Sequence, residues 1–166
     1  MRDDKQVIKV GIAEMNVTHD PNPAVLRTAG LGSCVGVVVY DSVHSVAGLA
    51  HVMLPDSSGA KCPFNRAKYA DTAIFDLINM LIKQGAHRRL LKAKIAGGAQ
   101  MFQFEPRNDV MRIGLRNVQA VERELHRNSV EIAAKATGGH NGRTIEFDPQ
   151  TAILKVRTIN EGIKTI

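Results

Sequence analysis

The sequence predicts an α+β sandwich of mixed, mainly antiparallel strands. Three observations predict it. Two stretches carry apolar residues at helical spacing, about six short segments alternate apolar and polar residues, and the order of the two kinds is not a regular βαβα run. A doubly wound parallel sheet needs that run, so it is set aside. With 166 residues the chain is expected to form one domain, residues 1–166, whose core stands without disulfides.

The elements follow in order. Ile8, Val10 and Ile12 alternate with Lys9, Gly11 and Ala13, which predicts a half-buried first strand. His19-Asp-Pro-Asn-Pro23 is turn chemistry. Val25 to Thr28 reads as a short extended segment leading into a Gly-rich turn. Val35, Val37, Val38 and Val39 are β-branched and favour a strand. Asp41-Ser42-Val43-His44 reads as a four-residue hairpin loop, and the return strand runs to Pro55. A loop from Pro55 to Asn65 follows. Ala67, Ala70, Ile74, Leu77, Ile78, Leu81 and Ile82 make the best helix, with Gly85 as its stop. Leu91, Ala93 and Ile95 predict a strand ending at Gly97-Gly98. Asn117 can cap a second helix whose apolar face is Val118, Val121 and Leu125. Val130, Ile132, Ala134 and Ala136 predict a strand ending at Gly138-Gly139. Ile145 and Phe147, then Leu154 and Val156, predict the last two.

The hairpin is where chemistry is expected. If Asp41–His44 is the loop, Tyr40 faces Ser45, and counting back puts Cys34 directly opposite His51. Directly opposed residues have Cβ atoms roughly 4.5–5.5 Å apart on one face. A thiol and an imidazole at that spacing can exchange a proton and favour thiolate–imidazolium, a nucleophile at neutral pH. The bland readings stand beside this one: Cys34 as a buried core cysteine, His51 as a hydrogen-bonded core histidine. A third group should orient the imidazole. Asp41 sits at the loop end, and Thr28 is nearer but is equally suited to cap a turn.

Composition narrows the partners. The net charge is +6, which suits an acidic partner. Aromatic residues are only 4%, too few for the stacking platforms of a single-strand nucleic-acid binder. The start of the chain lacks a signal-peptide core and no apolar run is long enough to span a membrane, so a cytoplasmic protein without membrane insertion is expected. Cys34 and Cys62 are then reduced thiols, they fit no zinc spacing, and Cys62 beside Pro63 reads as incidental. Gly30, Gly32 and Gly36 lie before a strand, not a helix, so they are no phosphate cradle. They let the backbone turn so that its N–H groups, around Gly32 and Ser33, face a cavity. Arg88, Arg89, Lys92 and Lys94 form a basic cluster, either a solvated face or a docking surface for an acidic partner.

Six segments carry a resemblance: Thr28-Ala-Gly-Leu-Gly-Ser-Cys-Val-Gly-Val, Gly48-Leu-Ala-His-Val-Met-Leu-Pro, Tyr69-Ala-Asp-Thr-Ala, Gly97-Gly-Ala-Gln-Met-Phe, Ile113-Gly-Leu-Arg-Asn-Val and Gly138-Gly-His-Asn-Gly-Arg. In this order they make the chain resemble the CheD family of chemoreceptor glutamine deamidases. The resemblance implies a three-layer α/β/β sandwich related to the deamidase domain of cytotoxic necrotizing factor toxins. It implies a Cys-His-Thr triad with Cys34 as nucleophile, His51 as base and Thr28 as the orienting group, and it leaves Gln100 without a role. The implied reaction hydrolyses glutamine side-chain amides of methyl-accepting chemoreceptors to glutamate and ammonia, with no metal or organic cofactor. Backbone N–H groups at the Gly32-Ser33-Cys34 turn would serve the oxyanion. The CheC phosphatase is the second implied partner. The residues also allow two other readings: a regulatory module acting mainly by binding receptor and CheC, and a thiol hydrolase of small-molecule amides, which would need a closed pocket.

Overall fold

The computed structural model describes residues 4–101 and 112–166. Among the described residues ten strands and two α-helices form three layers. One sheet has the order β1(Val7–Lys9), β3(Val25–Leu31), β8(Arg143–Asp148), β9(Ile153–Thr158), β10(Gly162–Thr165). The other has the order β2(Met15–Thr18), β5(Val46–Val52), β4(Val35–Asp41), β6(Lys92–Gly97), β7(Glu131–Thr137). Pairs β1–β3 and β6–β7 are parallel and the rest antiparallel, so the mixed sandwich expected from sequence is the observed one.

The second sheet is the middle layer, and this explains its composition. β4 and β5 are buried along their whole length, so both faces must be apolar or small. Val35, Val37 and Val39 face the helices α1(Ala70–Lys83) and α2(Ile113–Arg127). Val38 and Tyr40 face the first sheet, where Tyr40 packs on Phe147 with ring centroids 5.0 Å apart. Ala73, Ile74, Leu77 and Leu81 bury one stripe of α1 completely. Each such large side chain contributes roughly 1.5–3 kcal/mol.

Several expectations are corrected. The first strand ends at Lys9, and Ile12 is 56% exposed. The cause is a tight turn: Gly11 N–H donates to the Glu14 carboxylate while Glu14 N–H donates to Gly11 O. Strands β2 and β10 were not expected. β2 alternates Met15 and Val17 with Asn16 and Thr18 but is only a four-residue edge strand, and β10 is exposed throughout and buries no apolar face. Ala67 belongs to a 3-10 turn over Arg66–Lys68, capped by Asn65 Oδ1 accepting from Ala67 N–H, and α1 starts at Ala70.

The hairpin register also differs. Asp41 pairs with Val46, so the loop is residues 42–45 and Tyr40 faces Ala47. Asp41 stays on the ladder because its buried carboxylate accepts from the N–H groups of Val43 and His44 and from the His44 ring. That turn consumes four further residues, with Ser45 at φ 52. His51 therefore lies opposite Gly36, not Cys34. The shift is two residues, an even number, so Cys34 and His51 keep a common face.

Candidate active site

The site lies at the end of the middle sheet, where β4 begins and β5 ends. Cys34 is the last residue of the Gly-rich turn, half-buried, and packs toward the first sheet. His51 is fully buried on the same side of β5. With Gly36 opposite His51, Cys34 is its diagonal neighbour, at roughly 7–8 Å between backbones, within reach of an imidazole.

Thr28 comes from the other sheet. Its Oγ1 stands 2.7 Å from His51 Nδ1, and the pair is buried. The two sheets can approach this closely because the residue opposite His51 has no side chain. A Cβ on Gly36 would lie 2.6 Å from Ile145 Cδ1 and 3.1 Å from Leu31 Cδ1. Asp41, the other sequence candidate for the orienting role, is at the far end of the hairpin with His44 and His87. With Nδ1 engaged by Thr28, His51 Nε2 is buried and has no partner among the described residues.

Burial sets the protonation states. It lowers the His51 pKa to about 4, so the imidazole is neutral at pH 7. Burial also pushes the Cys34 thiol up, and a contact from the residue's own backbone N–H only partly offsets this. Burial thus favours the neutral form of each group over the thiolate–imidazolium pair expected from sequence.

The turn before Cys34 is held from three directions. Gly32 N–H donates to Gly30 O, and Gly32 O accepts from Ala99 N–H. Cys34 O accepts from Gly98 N–H at 2.8 Å. This requires a close approach at Gly97, which has φ 113 and where a Cβ would lie 2.3 Å from Cys34 O. Arg143 is buried and donates to Gly97 O and Gly138 O, while Gln100 N–H donates to Gly139 O. The third contact comes from α2. Asn117 does not cap that helix; it is fully buried inside it and its Nδ2 donates to Ser33 O and Met53 O. Sequence reasoning placed Asn117 as a helix cap and missed this role. Its signal was a polar side chain on the stripe that holds Val118, Val121 and Leu125.

The segment after His51 is anchored as well. Met53 and Leu54 donate to Lys68 O, Ala70 N–H donates to Leu54 O, and Ser57 Oγ donates to Asp71. All six segments singled out in the sequence thus contribute residues to the site or to the contacts around it; Phe102 of the Gly97 segment lies outside the described residues. The basic cluster is not one patch. Arg88, Arg89 and Lys92 are exposed, but Lys94 turns inward and donates to Ala152 O and Ile166 O. Cys62 is exposed in a loop. Among the described residues no three His, Cys, Asp or Glu side chains gather to hold a metal ion, and no helix is long and apolar enough to cross a membrane.

Residues 53–158 match the family described as CheD chemotactic sensory transduction. Thr28, Cys34 and His51 precede that match but fall within longer alignments. The chain is 58% identical over 161 residues to the chemoreceptor glutamine deamidase CheD of Halalkalibacterium halodurans, covering 96% of this chain and 98% of that one. It is 52% identical over 161 residues to the chemoreceptor glutamine deamidase CheD of Bacillus subtilis, covering 96% of each. Among solved structures, the Bacillus licheniformis hypothetical protein YfiH aligns with a TM-score of 0.47 and 16% identity, over 76% of this chain and 51% of that chain.

Proposed function

Because the chain belongs to the CheD family, we propose that it deamidates glutamines of chemoreceptors in chemotaxis through Cys34, His51 and Thr28. The observation that carries the residue assignment is the bond between Thr28 Oγ1 and His51 Nδ1, which leaves Nε2 as the free nitrogen on the face of Cys34. With Nδ1–H donating to Thr28, Nε2 bears the lone pair that a base needs.

The reaction runs in two halves. His51 Nε2 takes the Cys34 thiol proton as sulfur attacks the glutamine side-chain carbonyl. The carbonyl oxygen becomes an oxyanion beside the Cys34 N–H, which already lies against its own sulfur. The Gly32 N–H is engaged by Gly30 O, so the oxyanion donors are drawn from Ser33 and Cys34. Protonated His51 gives its proton to the leaving nitrogen, ammonia departs, and a thioester remains. Water then loses a proton to His51 and attacks the thioester; the tetrahedral intermediate collapses, sulfur recovers the proton, and glutamate is released. A neutral resting pair suits this sequence, because charge develops only as substrate excludes water.

The substrate in this reading is the cytoplasmic part of methyl-accepting chemoreceptors, met by residues 1–166 acting as one cytoplasmic domain. The net charge of +6 favours an acidic helical bundle. CheC phosphatase is the second proposed partner. The test is peptide mass spectrometry of a chemoreceptor cytoplasmic fragment incubated with the protein. A gain of about one dalton per target glutamine, absent with Cys34→Ala, is expected. Gain with both proteins, or with neither, overturns the assignment.

A further inference from the structure

Asn117 is buried in α2, yet its side chain touches the backbone on both sides of the site. One Nδ2 proton goes to Ser33 O at 3.0 Å and the other to Met53 O at 2.9 Å. Its own Oδ1 is buried with no donor among the described residues. An unpaired buried acceptor is destabilising, so packing alone would favour an apolar residue on this stripe. The amide is there for what its N–H groups hold.

What they hold is the peptide that joins Ser33 to Cys34. That peptide is trans, because the cis bonds of the described chain are Asp20–Pro21 and Cys62–Pro63. In a planar trans peptide the C=O and N–H point in opposite directions. A carbonyl drawn toward Asn117 on the helix side sends the Cys34 N–H toward the opposite side, where the Cys34 side chain packs against the first sheet. A donor on the carbonyl also polarises the peptide and strengthens its N–H as a donor.

We propose that Asn117 is a positioning residue that aims the Cys34 N–H at the oxyanion by holding the Ser33 carbonyl. The proposal rests on Cys34 being the deamidation nucleophile. Through Met53 O the same amide fixes the end of the strand that carries His51.

The test compares two reactions of one thiol in Asn117→Asp and Asn117→Leu, both of which keep the branched heavy-atom skeleton of asparagine. Deamidation of a chemoreceptor fragment passes through an oxyanion. Alkylation by iodoacetamide is displacement at saturated carbon and does not. The expected result is a fall of about 10²-fold in kcat with little change in KM, while the alkylation rate changes by less than about twofold. A merely structural role would lower both rates together, and that result overturns the proposal, as does full kcat in a folded variant. If neither variant folds, the wild-type protein decides. When a peptide aldehyde analogue of glutamate adds to Cys34, the Cys34 amide proton should move downfield. Scalar coupling from Asn117 Nδ2 to the Ser33 carbonyl carbon should persist. Absence of either change or coupling overturns the proposal. Deamidation retained by Cys34→Ala would instead overturn the nucleophile assignment on which it rests.

Discussion

Thr28 and His51 are joined across two sheets by a 2.7 Å bond between Oγ1 and Nδ1. Neither residue has another route to the other, since Thr28 lies on β3 of the outer sheet and His51 on β5 of the middle one. The ring orientation at the site therefore depends on how the two sheets stack.

Thr28→Val keeps the shape and removes the hydroxyl. It should lower kcat by about 10²-fold, since the imidazole loses its fixed tautomer and direction. Stability should fall by about 1–3 kcal/mol, because Nδ1 is left buried without a partner. Thr28→Ser keeps the oxygen and should recover most of the rate. Steady-state deamidation of the three proteins checks this. Equal rates for the Val and Ser variants would show that another group orients His51.

Protonation yields a second expectation. The unfolded chain carries an ordinary histidine near pH 6.5, whereas folded His51 has a pKa of about 4. Between these values the unfolded state binds more protons, so stability falls as pH is lowered through this window. The base should remain competent to well below pH 6.5, and the acid limb of kcat/KM should lie near 4. The thiol is raised, so iodoacetamide labelling of Cys34 should keep accelerating with pH past 9.0, its unperturbed value. A labelling rate already flat at neutral pH would indicate a preformed ion pair.

The site's residue types were legible before its geometry was. Cys34 after a Gly-rich turn, a histidine on the return strand and a threonine just upstream stand out in the sequence. The hairpin count erred by two because Asp41, a loop former, is held on the ladder by the groups its carboxylate accepts from. Alternation survives an even slip, so the residues still share a face. The Thr28–His51 bond could not be read, since periodicity assigns faces within a sheet and says nothing about which residue of another sheet will lie above. Asn117 was misplaced for a related reason. At a helix start, asparagine reads as a cap, and only the packed structure shows it turned inward onto Ser33 and Met53.

Gly36 offers a test of the stacking. A methyl group there would lie 2.6 Å from Ile145 Cδ1, so Gly36→Ala should push the sheets apart. Overpacking of this kind costs about 1–3 kcal/mol. Activity should fall as well, because the displaced sheet carries Thr28. Ile145→Val removes the offending Cδ1. The double variant should therefore be more stable and more active than Gly36→Ala alone, a coupling that denaturation midpoints and initial rates both report. Purely additive effects would place the strain elsewhere.

Asp41 separates stability from catalysis. It is 1% exposed and accepts hydrogen bonds from Val43, His44 and His87. Burial acts to raise its pKa, but the backbone N–H of His87 and the ring and backbone of His44 outweigh it and hold the carboxyl below its ordinary value. Asp41→Ala should destabilise the fold by about 1–3 kcal/mol, since those donors lose their acceptor. Asp41 lies seven positions along the strand from Cys34, roughly 23 Å, so kcat/KM should not change. A carboxyl with a depressed pKa stabilises above its unfolded pKa, and that stability is lost as pH falls through the folded value. The Tm gap between wild type and Asp41→Ala should accordingly narrow below about pH 4. A gap that persists at low pH would mean that the side chain acts through packing, not through its charge.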